Sequence, residues 1–301
     1  MRVAALPSQL RLKFCTLCRR AGASMLAIKA LNPVVRPKSN RSLASPKEKA
    51  EYAANLIFIG AINEGQELLK TISTADTPQA LLFASYAHVA RWEYEEADKL
   101  LNAYVLNKYL LPYERLVGEL NLAMVEVLTR KDDAVESRLE HIIVEAQKQH
   151  SPLLVANANR LLGTLYIFQS KWELAHKALA QSEAAFGQAH CIDSLFIRKW
   201  KAIAELFHHR AAGVKAVEAV KTEAIQRKHW ETVRDCDYYL AKATDNKDLF
   251  VHLFVGSPLE GFKRRILMDA TGKFEMPTHY QWQIAGTGPV SLDMTTFNRS
   301  R

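Results

Sequence analysis

The chain has 301 residues, 49% of them apolar and 24% charged, as in ordinary globular proteins, and no uncharged apolar run reaches the roughly 18 residues needed to cross a bilayer. The formal net charge of +8 is concentrated at one end: residues 1–47 hold ten Lys or Arg and no Asp or Glu, leaving 30 basic against 32 acidic residues in the remainder. A basic groove running the whole length is therefore excluded, and only the N-terminal segment can form a strong electrostatic footprint.

In chain order, residues 1–7 are expected to be a flexible N-terminus. "MRVAALPSQLRLKF" has a short apolar stretch soon interrupted by charge, which is not a secretory pattern. Its Arg-rich, acid-free character resembles an organellar transit peptide, so a mitochondrial-type location with residues 1 to about 40 removed stands as the alternative to the cytoplasm. Cys15 and Cys18 form a CxxC, but no second pair stands at ligand spacing for zinc and no βαβ pattern surrounds them for redox work. Four cysteines, Cys15, Cys18, Cys191 and Cys236, are too few and too scattered for a disulfide framework, which points to a reducing compartment.

From Gln9 to Asp269 apolar residues recur with a period near 3.6, broken by short Gly, Pro or Asn stretches, so an all-α chain is expected. Within it "RLLGTLYIFQSKWELAHKALAQSEAAF" places Gly163, Tyr166, Ala175 and Leu179 at successive spacings of 3, 9 and 4. Ala204, Phe207, Ala216 and Val220 repeat that spacing, with Trp200 one turn earlier. Earlier in the chain it recurs as Ala123, Glu126, Val135, Leu139; Ser85, His88, Ala97, Leu101; Ala53, Leu56, Gly65, Leu69; and Cys15, Cys18, Ala27, Leu31. The spacing suits two antiparallel helices that approach where a small residue faces its partner and a larger one fills the gap beside it. On this register Cys15 and Cys18 are buried small hydrophobes.

These segments resemble the tetratricopeptide repeat. Successive units are offset by 38, 32, 38, 40 and 41 residues, and Glu126 and His88 occupy sites where the pattern is apolar, so the repeats are degenerate. The resemblance implies a right-handed superhelix of antiparallel helix pairs over residues 8–228, whose first helices line a concave groove. In the two best-matched units that face carries Asn157, Arg160, Thr164 and Phe168, then Arg198, Lys201, Glu205 and His208. Asn157, Arg160, Arg198 and Lys201 are expected to face one groove and take an acidic or carboxylate-bearing protein or peptide segment, because the Arg fork pairs well with carboxylates.

Residues 229–269 read as further helices capping the array. Lys263, Arg264 and Arg265 in "GFKRRILMD" are expected to complement a helix end. Residues 270–301 change texture: "HYQWQI" and "PVSLDM" alternate around "AGTG", which suggests a β-hairpin or irregular tail.

Catalytic and cofactor chemistry find no support. His208 and His209 are adjacent, so they diverge by ~100° on a helix and cannot chelate as an i, i+4 pair would. "AGTGPV" lacks the helix and the Lys-Ser or Lys-Thr of a phosphate loop. The expectation is a non-enzymatic adaptor with no cofactor, no metal and no direct nucleic-acid contact. The alternative is a helical sensing or docking arm, as in bacterial transcription and signalling regulators.

Overall fold

The computed structural model describes residues 6–38, 42–129, 133–186, 192–227, 229–257, 260–270, 279–284 and 288–293. Cys191 and residues 1–5 lie outside that set. The described chain falls into two compact units, Met1–Cys236 and Asp237–Arg301.

The first unit is a series of helices joined by short connections: α1 (Ser8–Arg20), α2 (Ser24–Val35), α3 (Pro46–Phe58), α4 (Ile62–Lys70), α5 (Gln79–Ala90), α6 (Tyr94–Val105), α7 (Pro112–Thr129), α8 (Asp133–Lys148), α9 (Pro152–Phe168), α10 (Trp172–Phe186), α11 (Ile192–His208) and α12 (Arg210–Gln226), followed by the start of α13 (Trp230–Thr244). Local chemistry sets several of the starts. Ser45 accepts from the Glu48 N–H while the Glu48 carboxylate accepts from the Ser45 N–H, a reciprocal cap with Pro46 at the first helical position. Pro152 likewise holds the first position of α9, without a side-chain cap.

Helices pair as hairpins, α1 with α2 through α11 with α12, and the first helices also touch one another along the series α1, α3, α5 and again along α7, α9, α11. Four of the hairpin turns share one geometry. Gly22, Gly60, Trp92 and Ser170 each have a left-handed φ, between 57° and 91°, and each lies two residues before the second helix begins. The next residue's N–H then donates to the carbonyl five positions back, in the pairs Ala23 to Cys18, Ala61 to Leu56, Glu93 to His88 and Lys171 to Tyr166, at 2.7 to 2.9 Å. This is a Schellman closure. The accepting carbonyls belong to the residues that the 3, 9, 4 spacing singles out.

The fourth residue of the second helix is small and buried in each of these hairpins, as Ala27, Gly65, Ala97 and Ala175, with Leu31, Leu69, Leu101 and Leu179 one turn on. Glu126 and His88, the polar residues on the register, carry partners. Arg138 Nε lies 2.9 Å from the Glu126 carboxylate and His88 Nδ1 lies 2.8 Å from Glu93. Cys15 and Cys18 are buried, and burial pushes the Cys15 thiol up to about 12, as expected of inert packing residues.

The register slips in the hairpin of α11 and α12. Ala216 is only half buried, and Gly213 and Val217 take the buried sites. The cause is the connection: α11 ends at His208 and α12 begins at Arg210, leaving His209 alone between them, so the facing residue arrives three positions early. A Cβ on Gly213 would stand 2.1 Å from Leu206 Cα.

In the second unit, the latter half of α13 carries Tyr238, whose ring stands against Phe250 of α14 (Lys247–Gly256) and Phe262 of α15 (Glu260–Ala270) at 6.3 and 6.1 Å. Lys242 and the Tyr238 hydroxyl both donate to Asp269. Arg265 lies 3.8 Å from the same carboxylate, and Lys263 stacks on Phe254 at 5.7 Å. Asp245 repeats the left-handed turn, with Asn246 donating to Ala241. Segments β1 (His279–Ile284) and β2 (Gly288–Asp293) pair antiparallel, with Trp282 opposite Val290.

Replacing Gly213 by Ala forces backbone against backbone, so its cost is expected at or above the upper end of the ~1–3 kcal/mol typical of overpacking. Gly163→Ala meets the Leu179 side chain at 2.6 Å, which can yield, and should cost less. Denaturant midpoints of the two variants check the order.

Candidate functional site

The first helices turn one face each toward a common cavity of about 620 Å³ in the first unit. The lining follows helical spacing. α1 gives Leu12, Thr16, Arg19 and Arg20, and α5 gives Leu82, Phe83, Tyr86, Val89 and Ala90. α7 gives Tyr113, Val117, Leu120, Asn121 and Met124, and α9 gives Leu153, Leu154, Asn157, Arg160 and Leu161. Lys47, Glu51, Ile57 and Phe58 enter from α3, Asp193 and Phe196 from α11, and His229 and Glu231 from the start of α13. Among the described residues α6 is the one second helix that contributes, through Tyr104, whose ring is admitted because Gly118 leaves room beside it. Most of the wall is aliphatic or aromatic, with a few polar groups set into it, the usual make-up of a ligand site.

Long-range contacts hold the wall together. Arg20 Nη2 donates to the Tyr113 hydroxyl at 3.2 Å, joining α1 to α7. Arg234 Nη1 donates to the Ala90 carbonyl at 3.0 Å, and its guanidinium lies 5.5 Å from the Trp92 ring, joining α13 to the end of α5. Lys199 and Asp235 form a buried pair at 2.6 Å that ties α13 to α11.

The charges in the cavity divide into two kinds. Arg19 is neutralised: Nε and Nη2 donate to the two Glu51 oxygens at 2.7 and 3.2 Å, Thr16 donates to the same carboxylate, and the guanidinium lies 5.0 Å over Phe83. Arg160 has no carboxylate within ion-pair distance among the described residues. Its Nε and Nη2 reach Asn157 Oδ1 at 3.4 Å and its charge lies 5.8 Å from the Phe196 ring. Burial lowers its pKa, and Asp193 only partly offsets that. Asp193 mirrors it: burial raises its pKa, with Arg160, Asn157 and Arg20 pulling the other way. His229 is held with Nδ1 2.9 Å from Thr232 Oγ1 and within reach of the Thr232 N–H, which makes Nδ1 the acceptor and leaves the proton on Nε2. Burial keeps this imidazole's pKa below its ordinary value.

Of the residues expected from sequence, Asn157 and Arg160 line the cavity. The four expected donors do not share it. Arg198 is spent on Glu223 of α12, with Nη2 and Nε at 2.6 and 3.1 Å, and Lys201 on Glu183 of α10 at 2.7 Å. Thr164 is buried and donates back to the Arg160 carbonyl at 3.0 Å. Phe168 packs edge-on against Trp200 at 5.6 Å. Glu205 is half buried outside the lining, and His208 is exposed, stacked on Trp172 at 5.6 Å with an interplanar angle of 9°. Arg20, Tyr113, Asp193 and Phe196 were not expected from sequence. For α1 the signal was available, since the same first-helix face applied to that unit points to Arg20, whereas in α7 it points to Val117, Leu120 and Met124 and Tyr113 lies one turn earlier. No cluster of three or more His, Cys, Asp or Glu suited to a metal ion occurs among the described residues, and no described helix is long and apolar enough to cross a membrane.

No protein-family model and no curated protein matches the sequence. Among solved structures, the crystal structure of a Rap protein complexed with competence and sporulation factor is similar to this chain. Its TM-score is 0.56 and its identity 11%, over 88% of this chain and 98% of that one. The likeness is one of fold, a helical-repeat solenoid.

Because ionised Asp193 is under-compensated, Asp193→Asn is expected to raise the melting midpoint of the free protein at neutral pH. A carboxyl whose folded pKa is raised costs nothing below its unfolded pKa and progressively more as pH climbs through the folded one. The gain should therefore vanish near pH 3 to 4, where both forms are neutral, and melts at both pH values check it.

Proposed function

We propose that the protein is a non-enzymatic adaptor, a right-handed superhelix of the tetratricopeptide type, that holds a short protein or peptide segment in the cavity of its first unit. The carrying observation is that seven first helices, from α1 to α13, each contribute side chains to one cavity, apolar and aromatic over most of its wall. Such a wall holds side chains of an extended segment by burial, while a few fixed polar groups set its orientation. Arg160, charged and without a carboxylate partner among the described residues, is the group that favours a carboxylate-bearing segment. Paired as they are with Glu223 and Glu183, Arg198 and Lys201 have no part in this reading. A cytoplasmic location accords with the reduced, buried cysteines Cys15, Cys18 and Cys236.

The fold likeness to a Rap protein complexed with competence and sporulation factor supports a second reading, in which the array is the sensing arm of a regulator. That support is analogy of architecture.

The test is selection from a displayed random-peptide library on wild type and on Asn121→Trp, which places an indole in the cavity. Peptides enriched on wild type and lost on Asn121→Trp, with both proteins melting cooperatively, are the expected outcome. Equal enrichment on both, or none on wild type, contradicts the reading. An Arg198→Ala, Lys201→Ala double variant should select the same peptides as wild type.

A further inference from the structure

The main packing partners of α1 and α2 are each other and α3. The terminal hairpin of a helical array leaves a face that a further repeat would cover, and such a face is ordinarily polar. Here it is not. Leu10 and Leu17 lie on one stripe of α1, with Lys13 between them, on the side turned away from the buried Cys15 and Cys18. They are 50% and 64% exposed. The Ala23 N–H donates to the Cys18 carbonyl, and this antiparallel turn brings the start of α2 beside the end of α1. There Met25 and Leu26 are 53% and 49% exposed, with Lys29 one turn further on.

Charge sorts by residue type across the hairpin. Residues 1–47 contain no Asp or Glu, so their cations find carboxylates only on later helices. Arg11, Arg19 and Arg36 reach Glu48, Glu51 and Glu64, and Arg20 is held by Tyr113. Lys13 and Lys29 are exposed and make no ion pair among the described residues. The outer face therefore presents four protruding apolar side chains and two solvated ammonium groups.

We propose that this face rests on an anionic lipid surface: Leu10, Leu17, Met25 and Leu26 enter the boundary between headgroups and acyl chains, and Lys13 and Lys29 lie among the lipid phosphates. The inference is independent of the peptide reading above. Two observations favour lipid over protein. Helices of this array close where a small residue faces its partner, and no exposed residue of α1 or α2 is Gly, Ala or Ser. Protruding side chains suit a fluid acyl layer, which needs no matching hole. The cations left over are lysines, whose flexible stems lie along apolar surface while the ammonium stays at headgroup level. A second copy would instead set lysine against lysine.

Co-sedimentation of the full chain with sucrose-loaded vesicles tests this, comparing phosphatidylcholine alone with an equimolar mixture of phosphatidylcholine and phosphatidylglycerol. Wild type is expected to bind the mixed vesicles at least about tenfold more strongly than the neutral ones, since each lysine near such a surface gains about fivefold. Lys13→Gln with Lys29→Gln should remove most of that difference. Leu17→Ser with Leu26→Ser should weaken binding to the mixed vesicles by about tenfold or more. Because all four substituted side chains are exposed, both double variants should melt where wild type does. Undiminished binding of either double variant to the mixed vesicles places the contact elsewhere and overturns the proposal. Equal binding of wild type to neutral and mixed vesicles, or to neither, also overturns it. Sedimentation equilibrium then separates the other occupants: an oligomer of wild type that the leucine variant dissolves assigns the face to a second copy, and a monomer that ignores vesicles leaves it to a protein segment.

Discussion

In five hairpins of the first unit the second helix comes against the first at one small residue, its fourth, and the packing inside the array depends on that approach. Where the residue is Ala27, Gly65, Ala97, Ala175 or Gly213, the backbones close and a leucine or valine one turn later fills the space beside the contact. The left-handed turn fixes where the second helix starts, and so which residue is fourth. Two of these turn residues, Trp92 and Ser170, are not glycine, and a non-glycine residue pays ~1 kcal/mol or more for that conformation. The structure bears this strain because the Schellman closure and the packing that follows it are worth more.

With hairpins locked in this way, the first helices are left side by side, and their remaining faces are available to a cavity. Closure of that cavity is carried by interactions between residues 93 and 144 positions apart, Arg20 with Tyr113 and Arg234 with Ala90. Three of the ten basic residues of the N-terminal segment join this framework through ion pairs. Arg11 and Arg19 lie against the buried carboxylates of Glu48 and Glu51 at 2.8 and 2.7 Å, and Arg36 pairs with Glu64. A buried carboxylate without its arginine would be costly, so these pairs fix how α1 sits on α3. Part of the charge excess that composition places at this end of the chain is thus structural.

Repeat spacing made the hairpins legible because it is imposed by local geometry: a small residue, a fixed turn, a large residue one helical turn on. It misplaced Ala216, which is half buried while Val220 is buried, because a connection reduced to His209 shifts the facing site, and spacing counted along the chain cannot detect a shortened turn. Asn157 and Arg160 followed from the exposed face of a first helix. Arg198 and Lys201 followed from the same rule and yet lie elsewhere, because Glu223 and Glu183 come from neighbouring second helices at distances that only packing determines. Asp193 carried no local signal, since its importance arises from the cavity that brings α9 and α11 together.

The account's central claim is that ligand binds on the inner faces of the first helices. Amide hydrogen exchange of the full chain, with and without a peptide selected on it, tests this most directly. Slowed exchange concentrated in α1, α5, α7, α9 and α11, with α4, α8 and α10 unchanged, is the predicted result. Protection centred on the second helices, with the cavity-lining segments unaltered, would contradict it.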